Sequence, residues 1–286
     1  MIVNALKSSN SEFPDRLRRL HSLPAQIFIL GPIPDSRPSV SIVGARKCSP
    51  YGRETALRLA EELAGWGLTV VSGLALGIDG YAHQGAIKRG RTVAVLPGPI
   101  EQIYPASHRP LAKQILDRGG SLISEHQPGQ PIHRHSFIER NRIIAALGDA
   151  TVIIEAAEKS GSLSTAQFAL EMGKPVLAVP GQIDQPNSIG SNRLIALGAR
   201  PLLGAQDVLE ELKLDHLHSS QPVYRAETPE EQAVLESLEM SESMEQEELA
   251  ATCKLNGQDL NLVLTNLELK GYAQCLSGKW SLKRKI

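Results

Sequence analysis

Aromatic residues are only 4% of this chain, and it holds three cysteines. So few rings mean an aliphatic core. Cys48, Cys253 and Cys275 are far apart and odd in number, which fits neither a disulfide framework nor a zinc motif. A reducing, cytoplasmic setting is the natural expectation. The net charge of -1 gives no global electrostatic sign of a nucleic-acid partner, so any anion site has to be a local patch. No signal-peptide core is visible and no apolar run reaches membrane-spanning length, so no membrane association is expected. No lysine follows a glycine loop in the manner of a Walker motif, so ATP hydrolysis is unsupported. A GxSxG elbow, an HExxH helix and a paired-carboxylate motif are also missing. No catalytic residue, metal or cofactor is therefore assigned.

What is present is an alternation of strand and helix. The 286 residues suffice for one large domain and one small one. Residues 1–38 read as an introductory segment, with a short helix at Phe13–Leu23 and a short strand at Gln26–Leu30. Three prolines between Gly31 and Pro38 close it. Residues 39–212 carry apolar strands at Ser41–Val43, Thr69–Val71, Thr92–Leu96, Ser121–Ser124, Ala150–Ile154 and Pro175–Val179. Helical stretches at Arg53–Gly65, Asp79–Arg89, Pro110–Asp117, Glu139–Leu147 and Ser164–Met172 separate them. Near-continuous apolar strands between amphipathic helices predict a doubly wound, mostly parallel α/β sheet of extended Rossmann-like type. Residues 213–228 form a polar linker containing His216, His218, Ser219, Ser220 and Pro222. Residues 229–286 predict helices at Glu230–Glu239, Gln246–Thr252 and Asn256–Lys270. A hairpin of Tyr272–Leu276 and Lys279–Leu282 follows, turning at Ser277–Gly278. That order is a winged helix. From Pro229 onward it has ten acidic and six basic residues, the wrong balance for strong phosphate-driven binding, so protein contact or a weak accessory role is favoured over operator recognition.

Several strand ends open into small residues, where free backbone N–H groups and a helix dipole suit an anion. Gly44-Ala45-Arg46-Lys47 follows the first strand of the alternation. Its glycine permits close approach and its arginine adds a bidentate charge; a tight turn with a surface arginine is the plain alternative. Cys48 beside it would have a lowered thiol pKa, or be a small filler. Gly73, Ala75, Gly77 and Gly80 lie in a GxxxGxxG order after the second strand, and no acidic residue ends the next strand. That excludes a dinucleotide fingerprint. Asp79 and His83, at i and i+4, read either as an acid–base dyad or as a helix cap with His83 bonded to it. In Phe137-Ile138-Glu139-Arg140-Asn141-Arg142 a ring adjoins a basic cluster, as single-stranded nucleic acid requires. An ordinary helix start with Phe137 buried reads equally well. Lys159, Ser160, Gly161, Ser162 and Thr165 open a further helix, and Gly190-Ser191-Asn192 reads as another polar turn before Arg193.

In order and spacing, these segments resemble the bacterial DNA-processing protein A family (DprA, also called Smf). The likeness runs from about Phe13 to the C-terminus. It is carried by SIVGARKCSPYG from Ser41, SGLALGIDGYAH from Ser72, AVLPGPIEQIYPASH from Ala94, FIERNRIIAALGDATVIIEA from Phe137, SGSLSTAQFALEMGKPVLAVPG from Ser160 and SIGSNRLIALGA from Ser188. The resemblance implies a non-enzymatic protein that binds and protects single-stranded DNA and loads the recombinase RecA in natural transformation. It implies a homodimer formed through the Rossmann-like domain. By motif, Arg46 is similar to the family's phosphate-gripping arginine. Gly44, Gly73 and the Gly161–Ser162 turn resemble its backbone anion sites. Phe137, Asn141 and Arg140 resemble its segment contacting bases and backbone; Lys47, Ala75, Arg142 and Lys159 are expected beside them. Many members begin with a helical SAM-like domain, for which too few residues precede Phe13 here. A nucleotide phosphoribohydrolase of related fold is the alternative. Its motif places a glutamate three residues after the threonine, where this chain has Phe168 after Thr165.

Overall fold

The computed structural model describes residues 3–214, 217, 226–241, 243–276 and 278–282. It divides into two compact units, 1–219 and 220–286. The first contains β1 (Val3–Lys7), α1 (Asp15–Arg18), β2 (Gln26–Leu30), β3 (Ser39–Val43), α2 (Pro50–Gly65), β4 (Thr69–Ser72), α3 (Ile78–Arg89), β5 (Thr92–Val95), α4 (Arg109–Asp117), β6 (Ser121–Ser124), α5 (Ser136–Leu147), β7 (Ala150–Ile153), α6 (Ser162–Glu171), β8 (Val176–Ala178), α7 (Ile189–Ala196), β9 (Arg200–Pro201) and α8 (Ala205–Glu211).

The sheet order is β1-β2-β6-β5-β4-β3-β7-β8-β9. From β6 to β9 all neighbours are parallel, while β1 and β2 pair antiparallel at one edge. All five residues of β3 are buried, as a strand covered on both faces requires. Its side chains alternate between two cores. Val40 and Ile42 join Leu59, Leu63 and Ala82 of α2 and α3, and Val43 joins Ile143 and Ile144 of α5. The chain extends the sheet one way from β3 through β6, then returns to β7 and builds the other way. The order therefore reverses between β3 and β7, where Val43 lies beside Ile153. In open α/β sheets, ligands bind beyond the carboxyl ends of the strands at such a reversal.

Residues 1–38 are more than an introduction. β1 and β2 complete the sheet edge, and Phe13 and Leu17 are buried in the core against α5. The helix expected over Phe13–Leu23 is a single turn, α1. Arg16 fastens this segment by donating to both carboxylate oxygens of Asp149, at 3.0 and 2.7 Å. Gly190–Asn192 is not a turn but lies within α7. Gly190 packs against the Ala156 and Ala157 carbonyls, each under 3 Å from where a Cβ would sit.

The second unit comprises α9 (Pro229–Met240), β10 (Met244–Glu245), α10 (Gln246–Cys253), α11 (Gly257–Leu269), β11 (Ala273–Leu276) and β12 (Lys279–Leu282). Thr228 accepts from the Glu231 N–H and Asn256 from the N–H groups of Gln258 and Asp259, so side chains cap α9 and α11. Leu235, Leu249, Leu260, Leu264 and Leu267 fill its core. The expected hairpin forms, and β10 joins it in the order β10-β12-β11, completing a winged helix. In the linker, Leu214 and Leu217 pack on the first unit. His216, His218, Ser219, Ser220, Pro222 and the hairpin residue Ser277 lie outside the described residues.

Candidate nucleic-acid interface

The loop after β3 is shaped by close contacts on three sides. A Cβ at Gly44 would lie 2.7 Å from Ile78 Cγ1 and 2.9 Å from the Glu155 carbonyl. Gly77 has φ 76°, and a Cβ there would lie 2.2 Å from the Ala45 carbonyl; only glycine fits both constraints. Buried Glu155 accepts from the N–H and hydroxyl of Ser49, and Ser49 Oγ accepts from the Gly52 N–H, capping α2. Asn187 donates to the Lys47 carbonyl at 2.8 Å. The loop is thus tied down while Arg46 and Lys47 stay exposed. The Arg46 guanidinium carbon lies 4.9 Å from the Phe137 ring centroid, a cation–π distance. Tyr104 meets the same ring edge-on, at 5.3 Å and 71°. A fixed positive charge and an aromatic face therefore share one surface at the sheet reversal.

Beneath it is a buried polar layer. Asp79 is 5% exposed and accepts from the Gly73 N–H at 3.1 Å; the Ala75 N–H also bonds it. Leu74 between them is fully buried with φ 55°, a conformation leucine adopts only when its surroundings impose it. Gly73 and Ala75 were expected to cradle a phosphate. Their N–H groups already hold the Asp79 carboxylate, so this turn accommodates an anion from within the protein. Arg140, expected at the surface, is 3% exposed and donates to the Gly73 and Val95 carbonyls. Burial lowers its pKa to about 10, an effect partly offset by Asp79. It is still charged at neutral pH and braces the turns after β4 and β5. Burial likewise raises the Asp79 pKa, with Arg140 acting against that rise. Asp79 and His83 form no dyad, because the His83 Nδ1 partner is Thr92 Oγ1 at 2.7 Å.

The remaining expected residues divide between the surface and the framework. Lys159 and Gly161 are exposed beside the start of α6, where the hydroxyls of Ser160 and Ser162 share a 2.7 Å bond. Thr165 is fully buried inside α6 and is not at the mouth. Asn141 donates to the Gly161 carbonyl and Ser164 Oγ at 3.2 and 3.0 Å, stitching α5 to α6. Arg142 is paired with Glu125, so its charge is largely spent within the protein. Of the two readings of Cys48, the filler one fits, since it packs against the core of α2 and α3. Its thiol pKa is raised, by burial first and by Glu155 second, against a backbone hydrogen bond and Arg53. The helix position of the phosphoribohydrolase glutamate is held by Phe168, packed against the core.

Sequence reading gave no site role to Tyr104, Glu155, Gly77 or the exposed run His133-Arg134-His135 ahead of Phe137. Gly77 carried a signal in its glycine run, and the last in three cationic or titratable side chains in a row. Among the described residues there is no cluster of His, Cys, Asp or Glu that could hold a metal ion. None of the described helices is long and apolar enough to cross a membrane.

The family model of DNA recombination-mediator protein A matches residues 4–213, and that of the DprA winged helix domain matches 218–279. DNA processing protein DprA of Bacillus subtilis is 36% identical over 223 residues, which is 77% of this chain and 75% of that protein. The crystal structure of DNA processing protein A from Streptococcus pneumoniae is 35% identical with a TM-score of 0.68, over 73% of this chain and 74% of that one. The Helicobacter pylori protein, solved for its single-stranded DNA binding mode, is 29% identical with a TM-score of 0.65, over 74% and 96%. On these matches, the chain belongs to the DNA recombination-mediator protein A family.

Proposed function

We propose that this protein binds and protects exposed or incoming single-stranded DNA and mediates loading of RecA in natural transformation and recombination. It acts without catalysis and as a homodimer. The observation that carries the reading is Arg46 held over Phe137 at the sheet reversal. Arg46 and Lys47 supply charge for phosphates, Phe137 and Tyr104 supply rings for unpaired bases, and the open start of α6 lies alongside. Charge alone would take duplex equally well; the half-exposed Phe137 ring and the exposed Tyr104 ring favour strands whose bases are free to stack. Support comes also from the Helicobacter pylori relative, whose subject is single-stranded DNA binding, and from the recombination-mediator family itself. RecA loading and dimerisation rest on that kinship.

Fluorescence anisotropy with labelled single-stranded and duplex oligonucleotides tests the binding step. The expected result is a marked preference for the single strand, with log affinity falling linearly as log salt rises. Equal affinity for the duplex, or no binding to either, would overturn the proposal.

A further inference from the structure

We infer that the parallel imidazoles of His133 and His135 form a second base platform beside Phe137. This rests on the single-strand reading above and deepens it by naming where a neighbouring base sits. The two rings are 5.2 Å apart between centroids and 9° from parallel, and both residues are exposed. Their backbone is fixed just ahead of α5, where His135 is the N-cap residue. The His133 N–H donates to Ser136 Oγ at 3.2 Å, and the Ser136 N–H donates back to the His133 carbonyl at 3.1 Å. The His135 carbonyl accepts from Ile138 and Glu139, at 2.9 and 3.0 Å. Ile132, just upstream, closes on Gly98 so tightly that a Cβ there would lie 2.3 Å from it.

The backbone carrying the rings is therefore held at both ends, while both residues stay exposed. The gap between them is too narrow to admit a base, so a base stacks on an outer face. Flat π faces take any base, which suits a binder without sequence preference. A metal role has no support, since these two histidines belong to no cluster of three possible ligands among the described residues. The strand leaving Phe137 then meets a second stacking surface of different chemistry, and the site spans more than one base.

The test pairs protein variants with a series of single strands, each carrying one abasic site at a successive position. In the wild type, abasic sites at two separate positions are expected to weaken binding, each by about tenfold. The H133A/H135A variant is expected to bind the intact strand about tenfold more weakly. It should become indifferent to one of those abasic positions while remaining sensitive to the other, because coupled partners are not additive. F137A is expected to show the converse. If H133A/H135A keeps wild-type affinity and both sensitivities, the platform is overturned and the single-strand reading stands. If the wild type binds no single strand, both fall together.

Discussion

Replacing Asp79 with alanine is expected to lower the stability of the larger unit by about 3–5 kcal/mol, the usual loss when one member of a buried charged set is removed. Arg140 would remain buried and positive, with the carboxylate that offsets its burial gone. The Gly73 and Ala75 N–H groups, now bonded to Asp79, would lose their acceptor, that of Gly73 at a buried position. The turn holding Leu74 at φ 55° would lose what imposes that conformation. The check is a urea unfolding series, in which the midpoint falls and the slope stays the same. A loss below about 1 kcal/mol, the worth of an ordinary hydrogen bond, would mean the carboxylate does not hold the turn. The surface bearing Arg46 and Phe137 depends on this layer, since Arg140 belongs to the same helix as Phe137.

Acidification is expected to produce the second large effect, through His83. That residue is fully buried. The Thr92 hydroxyl gives its one proton to the Val70 carbonyl at 2.7 Å, so His83 Nδ1 must be the donor to Thr92. Nε2 is then the unprotonated nitrogen, and it is buried without a partner. Burial foremost, with His108 and Arg140 adding to it, lowers the pKa from 6.5 to about 3. The unfolded chain thus takes up a proton near pH 6.5, while the folded one does not until about pH 3. Stability contributed by neutral His83 is present above pH 6.5 and is lost as pH falls toward 3. The slope is about 1.4 kcal/mol per pH unit. Carboxylates add their own pH dependence, so the diagnostic is the difference between wild type and His83→Leu across that window. The variant should be the shallower by that amount; parallel curves would contradict the assignment.

The sheet was legible because runs such as Val176–Val179 are apolar on every residue, the mark of a strand covered on both faces. The edge strand β1 carries Asn4 and Lys7 and is largely exposed, so it has no such mark. α7 was hidden because glycine, serine and asparagine at its start read as a turn, whereas Gly190 is there to let the helix approach the Ala156 carbonyl. Gly73 was misassigned for a related reason. A glycine turn built to hold an anion looks the same in sequence whether the anion is a ligand or the protein's own Asp79. Arg140 could have been placed correctly. With Ile143, Ile144 and Leu147 it forms an i, i+3, i+4, i+7 stripe, and all four are buried. Arg46 and Phe137 were each legible as candidates, but residues so far apart in the chain meet only through the parallel sheet that places β3 beneath α5.

The most direct test of the account is the salt dependence of single-strand affinity for wild type and Arg46→Ala. Arg46 is exposed and makes no ion pair among the described residues, so its removal should leave the fold intact. The expected result is a loss of about 1.5–3 kcal/mol in affinity, as for a charged hydrogen bond. The log–log salt slope should become shallower by about 0.7, the contribution of one phosphate contact on a single strand. A folded variant with wild-type affinity and an unchanged slope would contradict the placement of the DNA strand at Arg46 and Phe137.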